Sequence, residues 1–359
     1  MIKPVKVFSE DNHSSKKFWV DYLIHPIRAY WGDGTNDWGK YESDFLFYKK
    51  YFSITTIPSE CDIGFLPLEL NYYIKNSKID LVDRLANTLD RVNKRLLIWV
   101  EGDNEIRYTH PNCIFIKYFG EKSKNSTNEI VQPGDLKYDL LEHYYNGQIQ
   151  LKDKCSIPLI GFDGIATYPL AKIAYGFLKR SLSRLKYDLY LTRVKNTPLY
   201  PSYLKRKFYL SLIERSKLVD TRFTLRNSFA LGTMGGNDES RLDFIHNIIS
   251  SDYTFCLRGG GNYSLRFYET LCLGRIPLFI NTDCVLPFED EINWQDVCLW
   301  VEEKDIDSLD TIILDHYSSF TNDQFKERQI YCREIWKKYL SKEGFAIGLN
   351  QHIKKYYID

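Results

Sequence analysis

The sequence predicts an α/β protein made of two Rossmann-like domains that face a central cleft. The chain has 359 residues, more than a single hydrophobic core usually organises. Short, continuous apolar runs alternate with helix-like patterns in both halves. Continuous apolar strands are typical of parallel sheets that helices cover on both faces.

The first half contains four candidate strands and one clear amphipathic helix. The candidate strands are residues 5–8, 62–68, 96–100 and 113–118. Between the second and third of them, Leu81, Leu85 and Leu89 recur at the spacing that puts them on one face of a helix over residues 78–95. This strand–helix–strand order predicts parallel pairing.

The second half restarts the alternation after a polar run at residues 148–154. Its candidate elements are strands at 157–161, 223–225, 253–257, 277–280 and 297–301 and helices at 169–186 and 323–340. We therefore predict an N-terminal domain, residues 1–153, and a C-terminal domain, residues 154–359. Whether the C-terminal helix packs back on the N-terminal domain is left open.

The composition disfavours several classes of protein. Lys and Arg together number 48 and Asp and Glu 47, a balance that argues against a nucleic-acid partner. The eight cysteines include no Cys-x-x-Cys pair, which favours reduced thiols over a zinc site or a disulfide framework. We find no apolar run of about 18 residues and no signal-peptide core. These features favour a cytoplasmic protein.

The most informative segment is a basic, glycine-rich turn at residues 258–264, called the glycine turn below. It follows the candidate strand 253–257 and precedes a helix-like segment. Strand, glycine turn and helix form an arrangement that binds phosphate, because the glycines allow close approach and the helix N-terminus offers free N–H groups. The candidate nucleotide-sugar-binding residues are Arg258, Gly259, Gly260, Gly261, Asn262, Ser264, Arg266 and Glu269.

Residues 251–294 resemble the C-terminal half of exostosin-like glycosyltransferases. The residues that carry the resemblance are Ser251, Tyr253, Phe255, Cys256, Leu257, Arg258, Gly259, Ser264, Arg266, Glu269, Gly274, Ile276, Pro277, Leu286, Pro287, Phe288, Asn293 and Trp294. The resemblance implies the GT-B fold and a donor site in the C-terminal domain. It also implies that Glu269 accepts the ribose hydroxyls; a plain surface ion pair between Arg266 and Glu269 is the alternative.

The general base is sought in the N-terminal domain. Asp103 follows the strand 96–100, at the strand end where α/β proteins build their sites, and Asp33 lies in an aromatic, glycine-rich loop. Either aspartate also suits a plain turn. Asp37 and Asp163 are further candidates.

We expect no bound metal and no cofactor. Fixed arginines at the diphosphate replace a divalent ion, and the triplet at 305–307 is interpreted as a helix cap formed by Asp305 rather than as a metal-binding Asp-x-Asp.

The expected function is transfer of a sugar from a nucleotide diphosphate donor, with UDP favoured, to a glycan acceptor in surface polysaccharide synthesis. The reaction is expected to be inverting and metal-independent. A soluble, bacterial-type enzyme at the inner face of the membrane would meet a lipid-linked acceptor through peripheral contact. The alternative is a catalytically silent partner of a synthase complex that binds the nucleotide-sugar or the glycan.

Overall fold

A computed structural model of the chain describes residues 2–10, 49–124, 127–136, 138–166, 169–195, 202–226 and 238–358. The predicted Asp33 and Asp37, with the loop that carries them, lie outside these described residues.

A six-stranded parallel sheet organises the first half, in the order β2-β1-β3-β4-β6-β7. The elements of this half are β1 (Val5–Phe8), β2 (Phe52–Thr55), β3 (Ile63–Phe65), α1 (Leu70–Lys75), α2 (Ile79–Asp90), β4 (Leu96–Val100), β5 (Glu105–Ile106), β6 (Cys113–Lys117) and β7 (Glu129–Val131). Every residue of β4 is buried, which explains why its sequence is continuously apolar.

A five-stranded parallel sheet organises the second half, in the order β10-β8-β11-β12-β13. The remaining strands are β8 (Leu159–Ile165), β9 (Val194–Lys195), β10 (Asp220–Arg226), β11 (Tyr253–Cys256), β12 (Ile276–Asn281) and β13 (Leu299–Glu302). The remaining α-helices are α3 (Leu140–Tyr145), α4 (Leu170–Asp188), α5 (Ser202–Arg215), α6 (Asp238–Ser250), α7 (Leu265–Cys272), α8 (Leu309–Ser318), α9 (Asn322–Ile335) and α10 (Lys342–Tyr357). The predicted fold class, two Rossmann-like α/β units of the GT-B type, is confirmed.

The two halves are joined by more than the polar connection between their sheets. Strands β5 and β9 pair in antiparallel fashion, and Glu121 forms an isolated bridge with Cys284. Helix α10 packs into the core of the first sheet, where Phe345 and Leu349 are fully or almost fully buried. The boundary at residues 153 and 154 stays a prediction.

Three local predictions were wrong. Strand β8 extends to Ile165 through the glycines expected to end it at 161; a side chain at Gly161 would lie 2.1 Å from Ser251 Oγ, so this glycine marks close packing inside a strand. The helix expected to reach residue 340 ends at Ile335 and continues as a π-helical turn. Asp305 is no cap, because Glu302 holds the N-cap position of the 3₁₀ helix that contains it.

No helix of the described residues has the length and apolar character needed to cross a membrane.

Candidate active site

The glycine turn follows β11 at the carboxyl end of the second sheet. Arg206 of α5 ties two neighbouring strand ends together, since its guanidinium donates to the carbonyl of Ile165 at 2.7 Å and to that of Arg258 at 3.1 Å. The Gly259 N–H donates to the Tyr263 carbonyl at 2.9 Å and closes the turn. The turn is therefore held in one shape by backbone contacts.

Asn262 anchors the glycine turn to the loop after β12. Its side chain is buried, its Nδ2 donates to the carbonyls of Thr282 and Asp283, both at 3.0 Å, and its Oδ1 accepts from the Thr282 hydroxyl at 2.7 Å. The amide group is thus used within the fold. A nucleotide contact by Asn262 stays a prediction and would have to use its backbone.

Asp103 reaches the glycine turn from the opposite half of the molecule. Its carboxylate accepts hydrogen bonds from the Tyr263 hydroxyl and from the Gly261 N–H. A Cβ atom at Gly260 would lie 2.5 Å from Asp103 Oδ2, and one at Gly261 would lie 3.0 Å from Oδ1. A side chain at Gly260 would force the Asp103 carboxylate to shift, and one at Gly261 would need a smaller adjustment, because this carboxylate from the other half rests directly against the backbone.

The environment of Asp103 is that of a candidate base. Burial raises the pKa of its carboxyl; the hydrogen bonds from Tyr263 and Gly261 and the charge of Arg258 lower it, and the net shift is upward. Perturbed carboxyl groups in clefts are candidates for proton transfer. The same carboxylate occupies the backbone N–H of Gly261, which would suit a phosphate oxygen.

Arg258 offers a cation that the fold leaves unused. Burial lowers the pKa of its guanidinium, and the carboxylates of Glu121 and Glu303 partly offset that effect. Its Nε is buried, and no described residue accepts a hydrogen bond from it. A buried donor without a partner is costly, so a ligand oxygen would relieve the cost.

Arg266 is more deeply built into the fold than a surface arginine would be. Its guanidinium lies 4.3 Å from the ring centroid of Phe162, and its Nη2 donates to the Asp163 carbonyl at 2.6 Å. Burial lowers the pKa of Arg266. Its Nε is buried and has no partner among the described residues.

The remaining charges near β8 and α7 are paired within the protein. Asp163 is bound by the fork of Arg226, with Nη2 and Oδ2 2.5 Å apart, so this further candidate base is committed to an ion pair. Glu269 accepts from Arg241 Nη1 at 2.8 Å, and the alternative, a surface ion pair with Arg266, does not form. The ribose contact of Glu269 stays a prediction.

The start of α7 points free N–H groups at the glycine turn. Ser264 is the N-cap, and its hydroxyl makes no capping bond. The first N–H groups of any helix lack partners within the helix and carry the positive end of its dipole. Ser264 and these N–H groups are therefore placed to meet an anion.

A cavity of about 470 Å³ is lined by residues of the first half and by Tyr187 of α4, and its lining includes Asn104, the next residue after Asp103. Asn104 and Phe119 line it, and Phe119 also approaches Gly261, with its Cδ1 3.1 Å from the position of a Cβ there. Further aromatic rings of its lining come from Tyr108, Phe115 and Tyr187.

Three residues of this site escaped the sequence interpretation. Tyr263 stands inside the glycine turn, so its position alone could have suggested it. Arg206 and Arg241 come from α5 and α6, whose helices were not predicted, and no local signal links them to the turn. Within the described part of the chain, no group of three His, Cys, Asp or Glu side chains is placed to bind a metal ion.

The glycine turn, β10 to β13 and α7 all fall in one stretch of sequence with known relatives. Residues 215–314 match the Exostosin GT47 domain. The resemblance to exostosin-like glycosyltransferases is thus supported over this exostosin-like segment, which includes every predicted donor residue.

The curated relatives of the chain are plant proteins with glycosyltransferase names. A probable glucuronosyltransferase of Oryza sativa subsp. japonica is 43% identical over 61 residues, which cover 17% of this chain and 14% of the relative. A probable beta-1,4-xylosyltransferase of Arabidopsis thaliana is also 43% identical over 61 residues, covering 17% of this chain and 15% of the relative. A second probable glucuronosyltransferase of Oryza sativa subsp. japonica is 30% identical over 118 residues, which cover 33% of this chain and 26% of the relative.

The match spans about one seventh of the length of the first two relatives. Because these relatives come from plants, they give no support to the expected bacterial-type member.

Proposed function

We propose that this protein is a glycosyltransferase that moves a sugar from a nucleotide diphosphate donor to a glycan acceptor. One observation carries the proposal: the carboxylate of Asp103, from the first half, rests against the glycine turn of the exostosin-like segment. A base candidate and a phosphate-binding turn therefore meet across the cleft, as transfer between two bound substrates requires.

The donor diphosphate would bind at the glycine turn. Arg258 supplies a cation with an unused buried Nε, and the α7 N-terminus supplies N–H groups. Such fixed donors stabilise the charge that develops on the leaving diphosphate without needing to reorganise. The names of the relatives make UDP-glucuronic acid and UDP-xylose the first donors to test.

Donor binding would release Asp103 for catalysis. In the described arrangement its carboxylate holds the Gly261 N–H, which the donor phosphate would also need. The two anions repel each other, so the phosphate displaces the carboxylate toward the acceptor. The base would then lie opposite the leaving group, as an inverting displacement needs.

The acceptor would enter from the first half, where the aromatic cavity adjoins Asp103. Aromatic rings present flat apolar surfaces that suit the faces of a sugar. A lipid-linked acceptor met at the cytoplasmic face of a membrane remains our preferred context.

The first test is Asp103→Asn, which keeps the size of the side chain and removes its basicity. We expect transfer to fall by on the order of 10²-fold or more. UDP should bind at least as tightly as to the parent, because the competing negative charge is gone. Transfer rate and nucleotide affinity are measured together.

Asp307→Asn is the matched control, since Asp307 is exposed and belongs to the Asp-x-Asp triplet that could mimic a metal site. An unchanged transfer rate in Asp103→Asn would refute the base assignment. A parent protein that binds UDP-sugars without turnover in the presence of acceptors would instead identify a silent binding partner.

The second test concerns metals. Because Arg258 and the helix N-terminus supply the positive charge at the diphosphate, we expect transfer to persist in excess chelator. Activity that disappears with chelator, returns with Mn²⁺ or Mg²⁺ and is lost in Asp307→Asn would show that the aspartate triplet binds a metal.

A further inference from the structure

The long helix α4 turns its apolar side outward. Leu170, Leu178, Leu182 and Leu185 are 82%, 63%, 53% and 55% exposed, and none of the helix residues is buried. Leucines at this spacing share one face of a helix. The residues of intermediate burial lie mostly on the other side, at positions 173, 176, 180, 183 and 187, and only two of these five, Ile173 and Tyr187, are large apolar or aromatic residues.

The exposed face continues past the end of the helix. Leu189, Tyr190 and Leu191 are 59%, 81% and 73% exposed. A contiguous apolar surface of this kind is uncommon on a soluble protein and marks an interaction site. It is separate from the glycine turn, which lies at the carboxyl end of the second sheet.

The position of α4 is fixed by its C-terminal end. The Arg107 guanidinium of the first half lies between two rings, 3.8 Å from the Tyr187 centroid and 4.0 Å from the Tyr190 centroid. The Arg107 N–H also donates to the Arg193 carbonyl at 2.7 Å. These contacts attach the C-terminal end of α4 to the first half of the chain, while the leucines along the helix stay exposed.

The charges of α4 decide between the possible partners. The helix sequence contains five basic residues and a single acidic one, Asp188. On a helical projection, Lys172, Lys179 and Lys186 border one edge of the leucine face, and Arg180 and Arg184 border the other. A second copy of the same helix would bring like charges together, which repel.

We propose that α4 docks the protein on the surface of an anionic lipid bilayer. An amphipathic helix with leucines on one side and Lys or Arg at the borders lies in the membrane interface, where the apolar side enters the acyl boundary and the cations meet lipid phosphates. This assigns a membrane-contact surface to the exostosin-like protein and places it on a helix outside the matched residues 215–314.

Co-sedimentation of the full chain with lipid vesicles tests the proposal, and this measurement does not depend on sugar transfer. The parent should bind vesicles of phosphatidylcholine with phosphatidylserine, bind phosphatidylcholine alone much more weakly, and lose binding as salt rises. Leu178→Ser with Leu182→Ser should weaken binding by at least roughly tenfold, because two leucines no longer enter the bilayer. Both leucines are exposed, so the fold should survive.

Two matched controls separate this surface from general effects. Ile330→Ser with Tyr331→Ser removes two exposed apolar side chains from α9 and should bind vesicles as the parent does. Lys179→Glu with Arg184→Glu should weaken binding to anionic vesicles, whereas Lys217→Glu with Lys304→Glu, also at exposed positions, should have a much smaller effect.

Three outcomes would overturn the proposal. They are an absence of binding to any vesicle, equal loss of binding in the α9 control, and a parent dimer that the α4 leucine variant converts to monomer. The last result would assign the same face to a second copy. Because vesicle binding needs no donor, its failure leaves the proposed transfer reaction standing.

Discussion

Arg258 begins the glycine turn and Arg266 follows it in the first turn of α7, and the protein uses these two arginines in different ways. Arg266 stacks on Phe162 and donates to the Asp163 carbonyl. The guanidinium of Arg258 has a buried Nε that no described residue accepts from. The Nε of Arg266 also lacks an acceptor among the described residues, but its guanidinium is otherwise held by contacts within the fold, whereas the side chain of Arg258 has no hydrogen bond to a described residue.

This difference teaches that charge in a candidate site is not by itself evidence of function. Asp163 with Arg226 and Glu269 with Arg241 form buried pairs that hold strand ends and helices in place. Asp103 and Arg258, by contrast, interact electrostatically across the cleft, and each charge shifts the pKa of the other toward its charged form. Substitutions should therefore divide into those that lower stability and those that lower binding or transfer.

The largest stability loss is expected from Arg226→Ala. It leaves Asp163, whose side chain is 1% exposed, without its partner, and breaking a buried pair typically costs about 3–5 kcal/mol. Urea unfolding measures the change. Arg222→Ala on the same strand is the control, because Arg222 is exposed and should cost less than about 1 kcal/mol. Equal losses in both variants would contradict the buried-pair interpretation.

The pair Arg266→Ala and Arg258→Ala tests the comparison directly. Arg266→Ala should lower the free energy of unfolding by about 2–3 kcal/mol, since a charged hydrogen bond and a cation–π contact are lost together. Arg258→Ala should change stability by less than about 1 kcal/mol yet weaken UDP binding roughly 10- to 100-fold. Calorimetric unfolding and UDP titration of both variants show whether Arg266 serves stability and Arg258 serves nucleotide binding. Full nucleotide affinity in Arg258→Ala would remove this arginine from the donor site.

The smallest effect is expected in the pH dependence of stability. The folded pKa of Asp103 is raised above its ordinary 3.8, so the folded state favours the protonated carboxyl. The stability this group supplies is therefore fully present below pH 3.8 and is lost as pH rises through the raised pKa. Asp103→Asn should unfold at a higher temperature than the parent at neutral pH, and the gain should shrink toward zero as pH falls.

The exposed Asp307→Asn serves as the control and should show no such pH-dependent gain. A parent that is more stable than Asp103→Asn at neutral pH would mean that the hydrogen bonds from Tyr263 and Gly261 outweigh the cost of burial.

The sequence predicted the elements whose signals are local. Buried parallel strands such as β4 and β11 have apolar sequences, which predict strands. The glycine turn could be predicted from its cluster of glycines between a strand and a helix. Asp103 was found because it follows a strand. The contact between Asp103 and Gly261 could not be predicted from the sequence, because it depends on how the first and second halves of the chain are positioned relative to each other.

The elements that were missed, or predicted only in part, have weaker patterns. In α5 the buried residues Tyr209, Leu210 and Ile213 are flanked by charged residues on both sides. The edge strand β10 alternates in exposure without a continuous apolar run, and only its residues 223–225 were predicted. Both carry arginines that the site depends on, Arg206 and Arg226.

The return of α10 to the first sheet constrains how the chain acquires its structure during synthesis. Phe345, Ala346 and Leu349 complete a core whose strands begin at Val5, and Asn350 donates to the Tyr51 carbonyl at 2.7 Å. A chain emerging from the ribosome folds from its N-terminus, yet the first sheet needs residues 345–350, which are synthesised after all of the described strands. The second half can form its sheet before α10 is synthesised. The half that is synthesised first therefore completes its core last.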